Sequence, residues 1–167
     1  MLPLLNFLIS FALALILHEF GHLAAARLCR VPVGEVSLGW GPRMFRWALN
    51  TVEYQLRLLP IGGFIKMDMA VFRQRPVEQQ LFVLSAGVLV NLVLAVLTWG
   101  TLFGMLNLGL AIGNSLPLYQ QDGWKSAIVL SRKLLGRPSP MVEWTITITG
   151  GLMALALVAR ALMIVSQ

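Results

Sequence analysis

His18 and His22 stand four residues apart in the run HEFGH, with Glu19 beside the first of them. On a helix, residues four apart lie one above the other, so both imidazoles can offer a nitrogen to one metal ion. Glu19 falls next to that face, where the acid of an HExxH helix can exchange a proton with a metal-activated water.

Two histidines leave such a site incomplete, because a catalytic zinc normally has three protein ligands and one open position. The acid best placed to be the third is Asp122, in NSLPLYQQDG, since Glu35, Glu53 and Asp68 sit in a surface segment and Glu78 and Glu143 at the edges of apolar spans. Depth agrees with this choice. At ~1.5 Å per residue, His22 lies about 8 Å above Arg27 and Asp122 about 15 Å above Arg132. A His, His, Asp set favours zinc among the available ions.

These residues are set in a chain that is 57% hydrophobic and 12% charged, which places it in a lipid bilayer. Burying an acid in a membrane helix costs roughly 2.5–3.5 kcal/mol, whereas metal binding at a structural zinc site provides roughly 10–16 kcal/mol. A metal accounts for the buried acid; two core histidines satisfied by neighbouring backbone do not. The helices expected are about 2–28, 78–106, 107–135 and 141–165, an α-helical membrane protein with four transmembrane passes. The third is broken near 114–123 by Asn114, Pro117 and Gly123, and unwound backbone at membrane depth requires protein or water around it. A simple proline kink is the other reading of that break.

Segment 33–69 reads differently. In TVEYQLRL, Val52, Tyr54, Leu56 and Leu58 alternate with Thr51, Glu53, Gln55 and Arg57, and Val36, Leu38 and Trp40 repeat the pattern upstream. Turn signals at Gly39, Gly41-Pro42, Asn50 and Gly62-Gly63 complete a small β-hairpin or sheet at the membrane surface. An irregular amphipathic loop is the alternative.

Eight of the thirteen Lys and Arg residues lie between Arg27 and Arg75, and Met1 to Leu17 carries no charge. The positive-inside rule therefore puts that loop, and the one around Arg132 to Arg137, on the cytoplasmic side; Arg160 is the exception and snorkels to the outer surface. The net charge of +6 does not indicate nucleic acid, because no aromatic-and-basic platform accompanies it. Cys29 is the only cysteine and cannot form an internal disulfide. A signal peptide would begin with basic residues and end in small ones, unlike Met-Leu-Pro running into HEFGH.

HEFGH, LPIGGFIKM at 59–67, SAGVLVN at 85–91 and NSLPLYQQDG at 114–123 together resemble the motifs of the site-2 proteases, zinc enzymes that cut within membranes. The resemblance covers most of residues 10–135. It implies that His18, His22 and Asp122 bind Zn2+, that Glu19 is the general base, and that Asn114 holds substrate or the developing oxyanion. It further implies that Asn91 lines the substrate path and that the strand around Gly62-Gly63 holds an extended substrate by main-chain pairing. Departures are Gln121 where the family usually has Leu, Trp124 in place of a common second glycine, and Val88 where proline often follows Gly87. The short run between the second and third spans leaves no room for a PDZ domain, and no cytoplasmic regulatory domain is expected after the fourth.

The expected function is hydrolysis of a peptide bond in or near the transmembrane segment of another membrane protein, in a prokaryotic cytoplasmic membrane with the site facing the cytoplasm. Partners are that substrate and the bilayer, with no nucleic acid. A membrane metal transporter would need polar groups through both leaflets, which the outer halves of these spans lack. A catalytically silent protein that binds membrane segments is the remaining alternative, and the presence of Glu19 argues against it.

Overall fold

The computed structural model describes residues 2–166, with the side chains at 60, 61 and 165 outside that description. It divides into two compact units, Met1–Ala111 and Ile112–Gln167.

In the first unit, α1 (Leu2–Leu28) and α3 (Val77–Leu97) have the length and hydropathy to cross a membrane. They pack closely because the contacting residues are small, as in membrane helix pairs generally. A Cβ on Gly21 of α1 would meet the Ala86 carbonyl oxygen and Val90 Cγ2, both at 2.9 Å.

Between these helices the alternating segment forms an antiparallel sheet of two long strands, β1 (Val33–Leu49) and β2 (Val52–Met67), joined at Asn50 with φ 55°. Its outer part is a hairpin in register Phe45↔Leu56, Trp47↔Tyr54 and Leu49↔Val52. Nearer α1, residues 35–38 have partners on both sides: Val36 faces Tyr54 and Ile65, and Ser37 faces Gln55 and Phe64. That central position explains why Val36, Ser37 and Gln55 are buried. The buried polar groups are satisfied, since Arg57 Nε donates to Ser37 Oγ at 2.8 Å and Gln55 Nε2 to Glu53 Oε1 at 2.6 Å. Arg46 Nη2 donates to Glu53 Oε2 at 2.6 Å, and this bond, followed by the one from Gln55, holds the Glu53 carboxyl below its ordinary range.

The β-rich expectation for 33–69 is corrected at its end. Asp68 caps a short helix, α2 (Met69–Gln74), by accepting from the Ala70 and Val71 amides at 2.9 and 3.1 Å.

The expected helix over 78–106 is corrected too: α3 stops at Leu97, and α4 (Leu102–Ser115) follows a turn over residues 98–101 in which Gly100 has φ 79°. Thr98 Oγ1 donates to the Leu94 carbonyl and Thr101 Oγ1 to the Thr98 carbonyl, which takes up backbone oxygens where α3 ends. This four-residue connection holds no inserted domain.

The second unit begins in the last turn of α4. The expected third span begins earlier than 107, at Leu102 of α4, and its expected break near 114–123 is found at residues 116–121, which are non-helical; α5 (Asp122–Leu135) then ends at Gly136, whose φ of 66° suits the left-handed cap. After it α6 (Pro140–Val165) is the third helix long and apolar enough to cross. Arg132 grips Glu143 with two bonds of 2.8 Å, tying α5 to the first turn of α6. α4 and α5, at 14 residues each, span only about 21 Å apiece, short of a bilayer core.

Candidate metal centre

Helical spacing on α1 brings His18 and His22 together, both buried, with ring planes 82° apart. Their Nε2 atoms are 3.2 Å from each other. Two nitrogens ~2.0–2.1 Å from one tetrahedral zinc would be about 3.3–3.4 Å apart, so the pair already has the spacing of two ligands to one ion.

α3 sets the protonation pattern. His22 Nδ1 lies 2.7 Å from the carbonyl oxygen of Val83. A carbonyl only accepts, so Nδ1 carries the hydrogen, and in the neutral ring Nε2 keeps its lone pair turned towards His18. Metal-ligating histidines characteristically have this outer contact.

One turn further along α3, Gly87 makes room for the rings. A Cβ there would fall 2.5 Å from His22 Nε2 and 2.7 Å from His18 Nε2. Any side chain at 87 would occupy the ground beside which both Nε2 atoms sit. Val83 has no place in the sequence reading, and Gly87 enters it only as part of SAGVLVN, without a role at the histidines. The small-residue run Ser85-Ala86-Gly87 was the available signal for Gly87, whereas a carbonyl contact leaves none.

Glu19 lies about 100° around the helix from His18, and that rotation turns it from α3 towards the sheet. It is buried. A Cβ on Gly63 of β2 would meet Glu19 Cγ at 2.9 Å, the Ser37 carbonyl oxygen at 3.0 Å and Glu19 Oε1 at 3.2 Å. The strand backbone thus passes directly against the carboxylate. Gly62 does something else: at φ 75° it faces the Trp40 indole, whose Nε1 is 2.7 Å from where its Cβ would be. The two glycines that the sequence pairs therefore have separate tasks.

Asn91 is wholly buried on α3, one turn beyond Gly87, and among the described residues neither its amide oxygen nor its nitrogen has a hydrogen-bond partner. Buried amides left in this way are characteristic of sites that receive another polar group.

Asn114 and Asp122 belong to the second unit. Asn114 is in the last turn of α4, and Asp122 is the first residue of α5, buried, with Oδ1 accepting from Lys125 Nζ at 3.1 Å. Between them Gln120 has φ 71°, and Gly123 packs on the carbonyl oxygens of Ser115 and Leu116 too closely for a Cβ. This shapes a tight turn rather than a kinked continuous helix. Trp124 donates to Thr147 Oγ1 at 3.2 Å and meets the Tyr119 ring edge-on, so it braces the turn against α6.

Comparison with known proteins adds a family. Residues 6–103 match the peptidase family M50. A protein of Clostridium perfringens bearing the name zinc metalloprotease is 35% identical over 98 residues, 54% of this chain and 29% of its own. One of Nostoc with the same description is 30% identical over 135 residues, 74% of this chain and 37% of its own. The chloroplastic membrane metalloprotease ARASP of Arabidopsis thaliana is 30% identical over 116 residues, 62% of this chain and 25% of its own. The chain thus spans well under half the length of these relatives.

Proposed function

The chain belongs to peptidase family M50, in keeping with the site-2 protease resemblance of its motifs, and on that premise we propose that it is a zinc metalloendopeptidase that cuts membrane-embedded segments of other proteins. The observation that carries the reading is the histidine pair: two Nε2 atoms 3.2 Å apart, one with its lone pair freed by the Val83 carbonyl, with Glu19 on the same helix. The relatives' zinc metalloprotease names support the same metal here.

His18, His22 and Asp122 would hold the ion, a set of two nitrogens and one carboxylate oxygen suited to zinc. An ion held there would supply Lewis-acid chemistry, acidifying a water and polarising a carbonyl. Glu19, as general base, would accept a proton from the attacking water and give it up to the leaving amine. Asn114 would hold substrate or the developing oxyanion, and Asn91, with its unsatisfied amide, would meet the substrate's main chain.

A helical peptide bond is shielded, so the substrate must be extended before it is cut. Among the described residues, residues 63–67 of β2 have strand partners on one side only, in residues 33–38, and the other edge offers backbone groups to an incoming strand. Gly63 lies on that stretch against Glu19, which would bring a paired substrate strand to the proton carrier.

In this reading α4, the turn at 116–121 and α5 make a fourth, interrupted crossing besides α1, α3 and α6. The basic segment 27–75 then faces the cytoplasm.

The test is made on purified protein with a fluorogenic transmembrane peptide. Wild type cuts and a chelator stops it. Glu19→Gln keeps its zinc and loses cleavage, while Asp122→Ala loses zinc. Undiminished cleavage by the Glu19→Gln variant removes Glu19 from the mechanism, and unchanged zinc in the Asp122→Ala variant removes that ligand.

A further inference from the structure

α1, long and apolar enough to cross a membrane, ends with Arg27 in its last turn and Arg30 just beyond. The β1–β2 turn comes back to this place. Between them is a cavity of about 390 Å³, bounded by Arg27, Arg30, Pro32, Asn50, Thr51 and Val52, among others, with no acid in its lining. Three of the last four carbonyls of α1, which would otherwise face an anion, are taken: Cys29, Arg30 and Val31 donate to the Ala25, Arg27 and Ala26 oxygens. What remains is a basic cavity with hydroxyl and amide groups on one wall.

Its other border is apolar. Strand alternation puts Phe45, Trp47 and Leu49 on the same hairpin face as Val52 and Tyr54, while Arg46, Glu53, Gln55 and Arg57 take the opposite face. Val52 lines the cavity, and the Tyr54 hydroxyl accepts from Arg27 Nη2 at 3.3 Å, so this is the face turned to the end of α1. Trp47 stacks on Tyr54 at 5.6 Å, and yet Phe45, Trp47, Leu49 and Leu28 of α1 all remain exposed. An exposed aromatic and aliphatic face beside two arginines, at the mouth of a membrane span, is what a lipid headgroup boundary requires.

We propose that this cavity binds the phosphate of an anionic phospholipid, with Arg27 and Arg30 as the charge partners and the Phe45–Trp47–Leu49 face lying along its acyl chains. A pair of permanently charged side chains at this place suits a phosphate by charge. A free phosphate would satisfy the arginines but leave the adjoining apolar face in water, which favours the lipid. The site is independent of the peptidase reading, since it uses neither the histidines nor Glu19.

The experiment is native mass spectrometry of the full chain released from nanodiscs of mixed phosphatidylglycerol and phosphatidylcholine. Wild type should retain phosphatidylglycerol over phosphatidylcholine by on the order of tenfold, as two arginines at a lipid surface imply. R27Q/R30Q should bring that ratio close to one, R27K/R30K should keep most of it, and R43Q/R46Q, an equal loss of charge on the same hairpin, should leave it unchanged. Equal retention of both lipids by wild type, an unchanged ratio in R27Q/R30Q, or an equal fall in R43Q/R46Q overturns the site. So does displacement of the lipid by excess inorganic phosphate, which would reveal a free-anion site, or loss of the preference in R27K/R30K with helicity intact.

Discussion

His22 Nδ1 and the carbonyl oxygen of Val83 are 2.7 Å apart, and this one contact joins α1 to α3 at the level of the histidine pair. It orients the ring, fixes which nitrogen is protonated and presents the other to His18. The neighbouring turn of α3 then withdraws its side chain at Gly87, so the same helix that orients the ligand also leaves it room.

Gly87→Ala should therefore damage metal binding more than folding. The new methyl would stand 2.5 Å from His22 Nε2 and 2.7 Å from His18 Nε2, and ring rotation would sacrifice the Val83 contact. Zinc affinity, measured by competition with a chelating dye, should fall at least about tenfold, the lower end for disturbing ligand orientation. Wild-type affinity in a Gly87→Ala variant that keeps its helicity would show that the lone pairs do not converge beside Gly87.

Gly63→Ala separates catalysis from metal binding. Its methyl would meet Glu19 Cγ at 2.9 Å and the Ser37 carbonyl oxygen at 3.0 Å, and the carbonyl, being strand backbone, cannot yield. Glu19 must therefore shift. Peptide cleavage should fall by about 10²-fold, as for a misplacement near 1 Å, with zinc content unchanged. A drop in zinc to match the drop in rate would contradict the assignment of this glycine to the Glu19 side.

At the α1–α3 contact, Gly21→Val should lower stability by about 1–3 kcal/mol through overpacking against the Ala86 carbonyl and Val90. Gly34→Ala in β1 is the control, because no atom lies within 4 Å of its would-be Cβ. Denaturation midpoints in the same micelle would compare them, and equal midpoints would mean that the helices do not approach as closely as the structure has them.

The hairpin carries a pH dependence. Glu53 titrates below its reference value of 4.5, chiefly through the bond from Arg46. A depressed folded pKa means stabilisation that is present above the unfolded value and disappears as pH falls through the folded one. Arg46→Ala should raise the Glu53 midpoint towards 4.5, read by carboxyl NMR, and shrink the acid-side loss of hairpin order. An unmoved midpoint would assign the shift to something other than Arg46.

Much of this was legible in the chain itself. The i, i+4 histidines, the apolar runs of α1, α3 and α6, and the alternation over 52–58 are local periodicities, and a helix or strand turns them into a face without outside help. Asp122 and Asn114 were reached by their surroundings in the sequence and remain part of the proposed mechanism. The turn at residues 98–101 was missed although Thr98, Gly100 and Thr101 interrupt the hydropathy, because the apolar runs on either side were joined into one span, and α2 was hidden behind the strand pattern although Asp68 was a sound capping signal.

What folding alone decided are the contacts between elements. No spacing in the sequence relates His22 to a carbonyl 61 residues away, or the Glu19 carboxylate to the bare Cα of Gly63. Periodicity determines which residues share a face, because it follows from the geometry of one element. Which backbone oxygen or missing side chain that face will meet depends on how two elements pack, and only the assembled unit settles it.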